Sequence, residues 1–308
     1  MVTVLMSVFN TPRPQLMRAV VSIFEQAHAD FEFLILDDGS TSEETVACLD
    51  KLDDPRIRLF HEPHRGLTRT LNLGLKLAQG GLIARQDADD WSHPRRLSRQ
   101  VAFLATHPDH VLVGSCAWMH QQDGTELWPG FMPDTHERIV RMLPGGNTFF
   151  HGATMFRRDA AERAGGYREA LPCSQDYDFF WRLTEIGRAA NLAEPLYNYR
   201  YGASSVSATR AAEQAVSHRA TRILASDRKA GRPENLEAAL EEAAHSCDTL
   251  RAALRQADHL TLAGAYSQAG KAYRSLLMSH PASALAWGKL LRLGLFLAVP
   301  PIRERLFV

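Results

Sequence analysis

The sequence is poor in cysteine and lacks the common signatures of nucleotide or metal capture. Its four cysteines, Cys48, Cys116, Cys173 and Cys247, lie far apart and form no CxxC pair. That spacing reads as free thiols in a reducing compartment, not as a disulfide or zinc framework. No GxGxxG follows the first strand-like run, which argues against a dinucleotide dehydrogenase, and no GxxxxGK[ST] is present to hold phosphates. An excess of one charge is missing too: 35 Lys+Arg balance 35 Asp+Glu. General nucleic-acid binding is therefore not expected. Long apolar runs are also lacking. Residues 2–9 have no basic flank or cleavage site, and residues 290–299 are broken by Arg292 and closed by Pro300-Pro301. Both are too short to span a bilayer. A cytoplasmic protein is expected.

What the chain has is enough apolar content, 45% of 308 residues, to build a full core. Its first half alternates strand-like and helix-like segments. Residues 2–9 are a continuous apolar, β-branched run, the mark of a strand buried on both faces. Asn10-Thr11-Pro12-Arg13-Pro14 breaks it, and Leu16, Val20, Ile23 and Phe24 recur at helical spacing. Strands follow at 31–36 and 57–60, with helices at 42–52 and 67–78 and a strand ending at Asp87. This βαβα order predicts an α/β fold with a doubly wound, mostly parallel sheet. Further along, a helix is expected near 94–106 and a strand at 111–118. Extended pieces are expected at 152–157 and 192–199, around a helix at 177–186. From about residue 208 the composition turns to Ala, Leu, Glu and Arg with few β-branched residues, which predicts three to five helices. The expected division is 1–207 and a helical C-terminal region 208–308. Gly270, Ala272, Tyr273 and Pro281 add a faint helical-hairpin pattern.

Three strand ends carry the chemistry: Phe9-Asn10, Asp37-Asp38 and Asp87-Ala88-Asp89-Asp90. In open α/β sheets, ligands bind at the carboxyl ends of the strands. Clustered carboxylates repel unless a cation sits between them, and a hard divalent ion carrying a diphosphate suits them. In such a crevice Asp38 can accept a hydrogen bond from a base imide, which favours uracil or thymine. Asp87 can accept from a ribose hydroxyl, and Asp89 can ligate the metal. Arg65 or Arg69 would share the phosphate charge. Taken alone, Asp37-Asp38-Gly39-Ser40 reads first as a plain turn, and the acids at 87–90 read equally as a solvated helix cap.

Together these pieces resemble the family 2 inverting nucleotide-sugar glycosyltransferases of the glycosyltransferase A fold. The resemblance covers roughly residues 2–207. It rests on Val4-Leu5-Met6-Ser7-Val8-Phe9-Asn10, on Leu36-Asp37-Asp38-Gly39-Ser40 and on the run from Gly66 to Leu75. Its densest part is Ile83-Ala84-Arg85-Gln86-Asp87-Ala88-Asp89-Asp90, with Pro94, Arg96-Leu97, Gln100 and His107-Pro108 after it. Downstream it continues through His151-Gly152-Ala153-Thr154-Met155-Phe156-Arg157-Arg158 and Gln175-Asp176-Tyr177-Asp178-Phe179-Phe180-Trp181-Arg182-Leu183. The resemblance implies that Phe9, Asn10 and Asp38 meet the base, that Asp87 lies near the ribose and that Asp89 binds Mn²⁺ or Mg²⁺. It implies Asp176 as the general base. Asp178 is the chemical rival, about 200° away on a helix, so only one of the two should face the crevice.

The sequence departs from the family pattern at three places. Ser7 stands where the family usually has Pro, Gln175 where a Glu is common, and Gly202 where many relatives carry His. His151 is weighed as a partial substitute for that His, against a simple packing role.

The resulting expectation is transfer of a sugar from a nucleoside-diphosphate sugar, UDP-type favoured, to a hydroxyl of a glycan, glycolipid or other carbohydrate or lipid-linked acceptor, in cell-surface polysaccharide synthesis. Two rivals stand beside it. One is a non-catalytic nucleotide-sugar-binding or scaffold protein. The other is a sugar nucleotidyltransferase, disfavoured because residues 10–14 contain no glycine. The segment Trp128-Pro129-Gly130-Phe131 reads as an acceptor contact or as loop packing. Leu285, Leu290, Leu291, Leu293, Phe296 and Leu297, flanked by Lys289, Arg292, Arg303 and Arg305, read as a packing face or as a peripheral contact with the inner face of the cell membrane.

Overall fold

A computed structural model describes residues 1–246 and 248–298, with side chains up to residue 294. The chain folds as β1 (Val2–Val8), α1 (Arg13–Phe24), β2 (Phe31–Asp37), α2 (Glu43–Leu49), β3 (Ile57–His61), α3 (Leu67–Leu77), β4 (Leu82–Asp87), β5 (Trp91–Ser92) and α4 (Arg96–Thr106). It continues with β6 (His110–His120), β7 (Glu126–Gly130), α5 (His136–Met142), β8 (Met155–Arg157), α6 (Arg158–Arg163), α7 (Gln175–Ile186) and β9 (Arg188–Arg200). Helices α8 (Val206–Thr209), α9 (Ala211–Lys229), α10 (Leu236–His245), α11 (Thr249–Leu262), α12 (Tyr266–Ser279) and α13 (Ala284–Ala298) complete it.

The nine strands form one sheet in the order β3-β2-β1-β4-β8-β6-β9-β5, with β7 paired to β6. Strands β3, β2, β1 and β4 run parallel. Strand β8 joins β4 and β6 antiparallel, and β5 joins β9 antiparallel. The sheet is therefore mixed, with its parallel half first in sequence. Its pleat explains the unbroken apolar runs. Leu5, Leu34, Leu36 and Ile83 point into one core with Leu71, Phe156, Phe179 and Phe180. Val4, Met6, Phe33, Ile35 and Ala84 point into the other with Leu16, Val20, Ile23 and Leu97. A strand covered on both faces has no position left for a solvated side chain. Helix α3 packs so closely that a Cβ on Gly74 would lie 2.3 Å from Leu5 Cδ1.

Register gathers the strand ends. Val8 lies opposite Asp37, and Asp37 opposite His61. One row back, Ser7 lies opposite both Leu36 and Asp87. The acids of β2 and β4 thus flank the end of β1, as the parallel order requires.

The extended segment expected at 152–157 differs in its first half. Residues His151–Ala153 form a single 3₁₀ turn, and only Met155–Arg157 is strand. Gly152 causes this: a Cβ there would lie 2.0 Å from the Tyr197 hydroxyl and 2.6 Å from Asp87 Oδ2. The turn presses its backbone against the end of β4, which only a residue without a side chain permits.

The chain forms two compact units. The first comprises Met1–Trp118, Pro129–Leu171 and Gln175–Tyr199; the second comprises Met119–Trp128, Pro172–Ser174 and everything from Arg200. In the second unit, α11, α12 and α13 share a core of Leu254, Ala257, Leu260, Ala269, Tyr273, Leu276 and Leu293. Helices α9 and α10 close on Ala220, Leu224, Ala239 and Ala243. Of the apolar set expected on the last helix, Leu293 is buried and Leu290 packs on this core, whereas Leu285 and Leu291 are exposed. The side chains of Phe296 and Leu297, together with Arg303 and Arg305, lie outside the described residues. Lys289 is ion-paired with Asp258. No helix of the described residues is long and apolar enough to cross a membrane.

Candidate active site

The first wall of the crevice is the end of β1 and β2. Asn10 adopts φ 49°, a left-handed conformation that Asn tolerates. Its Oδ1 accepts from the backbone N–H groups of Thr41 (2.8 Å) and Ser42 (2.9 Å), so it ties the β1 and β2 loops together. Phe9 is exposed and stacks on the His64 ring, with centroids 4.3 Å apart.

Asp38 is buried, with only 2% of its surface exposed. Its Oδ1 accepts from Arg65 N–H (2.8 Å) and the Thr70 hydroxyl (2.8 Å), and its Oδ2 accepts from Gly66 N–H (3.0 Å). His64 Nδ1 lies 3.0 Å from the same Oδ2. A carboxylate offers about four acceptor positions, and all are used within the chain. Asp38 therefore clamps the loop that starts α3. In the structure as it stands, it is not the open acceptor that its place in the motif suggests. Arg65 joins this clamp through its backbone, while its side chain pairs with Glu62 at 3.3 Å. Arg69 turns to Glu169, at 3.2 Å.

The second wall is the end of β4. Arg85 is fully buried. It donates to the carbonyl oxygens of Leu5 and Gln86, each at 2.7 Å, and to Asp87 Oδ1. Its Nε lies 3.3 Å from His151 Nε2, which also hydrogen-bonds the Tyr167 hydroxyl at 3.0 Å. A guanidinium can only donate, so His151 Nε2 accepts and its ring proton sits on Nδ1. Burial, reinforced by the Arg85 charge, pushes the imidazole down to about 3. His151 is thus a neutral link in a buried network.

The Asp87 backbone N–H donates to the Tyr197 hydroxyl at 3.2 Å. Behind the acidic turn, Gln86 donates to the carbonyls of Asp87 (2.9 Å) and Asp90 (3.1 Å), and buried Arg96 donates to Gln86, Ser92 and Gln100. Asp90 is buried, while Asp87 and Asp89 keep partial exposure. Among the described residues no three His, Cys, Asp or Glu side chains converge as a metal cage. The donor set is instead one or two carboxylates at a strand end. That set fits a Mn²⁺ or Mg²⁺ ion which takes most of its oxygens from water and substrate phosphates.

The third wall is the start of α7. Asp176 stands in its first turn and accepts from Asn147 Nδ2 at 2.8 Å. Burial pushes its carboxyl up to about 6. Backbone N–H groups oppose the rise, the Asp87 charge adds to it and Arg85 offsets part of it. The helix N-terminus alone would favour full ionisation, but desolvation outweighs it. A carboxylate at about 6 is poised to take a proton near neutral pH. Asp178 faces the opposite way. It is fully buried, binds Arg182 through two hydrogen bonds at 2.6 and 2.9 Å, and lies 3.3 Å from Arg168. It is locked in an ion-paired cluster, as the 200° offset on the helix requires.

The structure thus brings Asp87, His151 and Asp176 around Arg85, and Phe9, Asn10 and Asp38 along the neighbouring strand ends. It sends the Arg65 and Arg69 side chains to Glu62 and Glu169. Sequence reasoning missed Arg85, Asn147, Tyr167, Tyr197 and His64. Arg85 left a signal, since an arginine inside an apolar strand needs a buried partner. The others are recruited through tertiary contact and left none.

The family model described as glycosyl transferase family 2 matches residues 3–165. The chain is 34% identical over 206 residues to the putative glycosyltransferase EpsE of Bacillus subtilis (strain 168), covering 65% of this chain and 72% of that one. It is 29% identical over 214 residues to the amylovoran biosynthesis glycosyltransferase AmsE of Erwinia amylovora, covering 68% and 80%. It is 31% identical over 187 residues to the O-antigen biosynthesis glycosyltransferase WbnJ of Escherichia coli, covering 59% and 72%. Among solved structures, the fold resembles the mannosyltransferase PcManGT from Pyrobaculum calidifontis in complex with GDP-Man and Mn²⁺ (TM-score 0.55, 20% identity, 99% and 87% covered). It also resembles S. aureus TarS 1–349 in complex with UDP (TM-score 0.54, 15% identity, 91% of each chain). With a sheet of this order, acids at its strand ends and a family match over more than half its length, the chain belongs to glycosyl transferase family 2 and is a glycosyltransferase.

Proposed function

We propose that this glycosyltransferase works by inversion, moving a sugar from a nucleoside-diphosphate sugar, UDP-type favoured, to a hydroxyl of a glycan or lipid-linked acceptor during assembly of a cell-surface polysaccharide. The observation that carries the reading is Asp176. A carboxylate held near 6, hydrogen-bonded to Asn147 and close enough to feel the charges of Asp87 and Arg85, is suited to general-base work. It takes the proton of the acceptor hydroxyl as the acceptor oxygen bonds to the anomeric carbon. The bond from that carbon to the diphosphate oxygen breaks on the opposite face, and the configuration inverts. No second nucleophile is required. The polysaccharide context is supported by two relatives, the amylovoran biosynthesis glycosyltransferase AmsE and the O-antigen biosynthesis glycosyltransferase WbnJ.

In this reading Phe9, Asn10 and Asp38 form the base end of the donor site, and Asp87 lies toward the ribose. Asp89, with Asp87 beside it, would hold Mn²⁺ or Mg²⁺, which supplies charge neutralisation of the leaving diphosphate. Arg85 fixes the Asp87 carboxylate, and Tyr197 fixes its backbone. Arg65 and Arg69 would have to leave Glu62 and Glu169 to reach the diphosphate.

The test is a panel of UDP-, GDP- and other nucleotide sugars with Mn²⁺ or Mg²⁺, followed by nucleoside-diphosphate release. NMR of the anomeric proton of the product then gives its configuration. Release from a UDP-sugar with an inverted product supports the reading. A retained configuration overturns the inverting mechanism. Stable binding without transfer or hydrolysis, across a broad set of acceptors, favours the non-catalytic rival.

A further inference from the structure

We propose that the His64 ring occupies, in the free protein, the place that a nucleobase takes, and that donor binding requires this ring to swing out. The proposal rests on the reading of this crevice as a nucleotide-sugar site. Two contacts define the ring's position. Its face stacks on Phe9 with centroids 4.3 Å apart and planes 26° from parallel. Its Nδ1 lies 3.0 Å from Asp38 Oδ2 and 3.0 Å from the Asp38 carbonyl oxygen. Both neighbours are acceptors, so Nδ1 carries the proton. The result is a flat ring with an N–H edge, stacked on an aromatic side chain and donating to a buried carboxylate. A uracil bound through its face and its imide N–H would make the same two contacts.

The saturation of Asp38 turns this likeness into a requirement. Three of its four acceptor positions are filled by Arg65 N–H, Gly66 N–H and the Thr70 hydroxyl. These are the backbone and a buried side chain at the start of α3, and displacing them would unmake the first turn of that helix. His64 is the exchangeable donor: its side chain is 56% exposed, whereas that of Asp38 is 3% exposed. A base imide reaches Asp38 only when the imidazole leaves, and the same movement bares the Phe9 face. The backbone of the loop does not need to follow. Its Glu62 N–H donates to the Asp37 carbonyl at 2.9 Å, and a Cβ on Gly39 would lie 2.5 Å from His64 N. The main chain is pinned, whereas the half-exposed ring can turn out about its side-chain bonds once its Phe9 and Asp38 contacts are exchanged for those of the base.

The experiment is calorimetric titration of UDP into the full chain with Mn²⁺ present, for wild type and His64→Ala. Loss of the competing ring should tighten UDP binding by roughly 3- to 10-fold, the range of one net hydrogen bond. A second measurement needs no variant. In the free protein, the His64 ring protons should show a ring-current shift from Phe9, lost on UDP addition. Equal or weaker affinity in His64→Ala, or a His64–Phe9 stack that persists with UDP bound, overturns the proposal and leaves the donor-site reading standing. Absence of binding by UDP, GDP and ADP to both proteins overturns the donor-site reading, and this proposal with it.

Discussion

At the scale of single residues, two carboxylates two positions apart have opposite fates. Asp176→Asn should preserve the fold, leave UDP affinity nearly unchanged and reduce turnover by about 10²- to 10⁴-fold. In the wild type, kcat/KM should rise with pH through about 6, as Asp176 of the free enzyme loses its proton. The same group gives a stability signature. Its folded pKa is raised above the unfolded value of about 3.9, so the folded state holds the proton more tightly. Stability tied to that proton is present below pH 4 and is lost as pH rises to about 6. Denaturant curves should therefore show Asp176→Asn gaining on wild type across that window and keeping its lead above it. Asp178→Asn should instead cost about 3–5 kcal/mol of stability, because it strands the buried Arg182 charge. Its loss of activity should follow the unfolded fraction rather than kcat of the folded enzyme. Arg85 joins both halves of the site. Arg85→Gln removes the cation that offsets the repulsion between Asp87 and Asp176, so the acid limb of kcat/KM should move above pH 6. A merely structural loss would lower the amplitude and leave the limb in place.

Among the elements, the parallel strands were the most legible part of the chain. Continuous apolar, β-branched runs such as residues 2–9, closed by a Pro-containing break, read as strands covered on both faces, and the acids that follow such strands mark the carboxyl edge. Helix periodicity gave α1, α3 and α4 within a few residues. The turn at His151–Ala153 was not legible, since the need for Gly152 arises from Tyr197 and Asp87, far away in sequence. Gly152→Ala should push this turn off β4. Its expected mark is a weaker Asp87 site, read as a raised KM for the donor with modest loss of thermal stability. The proposed base end was illegible for a similar reason. Asp38 in a Asp-Asp-Gly-Ser turn reads as an open acceptor, and only the folded loop shows its lone pairs spent on residues 64–70. Helix α13 carries a prediction of its own. Trp287 and Leu291, one turn apart, are exposed on the same face of it. If this face meets the anionic inner leaflet, co-sedimentation with phosphatidylglycerol vesicles should fall with added salt and with Trp287→Ala. Absence of co-sedimentation would leave α13 as an element of the second unit's own packing.

For the whole molecule, the family was legible because its motifs are spread along the chain in a fixed order, each anchored to a strand end or a helix start. The donor's identity and the acceptor were not, because they depend on loops with no periodic pattern. The proposed metal dependence belongs at this scale, since it would couple one side chain to the whole donor. Asp89→Ala, or removal of the ion by EDTA, should weaken UDP binding to the same extent, and the two together should do no more than either alone. Equal calorimetric affinities in all four conditions would remove the metal from the donor site.

The route of the chain between the two units has a practical outcome for anyone who wishes to divide the protein. The backbone passes from one unit to the other five times, at 118/119, 128/129, 171/172, 174/175 and 199/200. The hairpin Met119–Trp128 counts with the helices: Gln122 N–H donates to the Ala263 carbonyl at 3.3 Å, and the Gln121 amide donates to the Tyr266 hydroxyl at 2.9 Å. A chain ended at residue 207 would be cut inside α8 and would keep this hairpin while losing those partners. The helical region is therefore not a detachable cassette, whether for the protein engineer or for recombination in evolution. Exchanging it between relatives means exchanging residues 119–128 and 172–174 along with it.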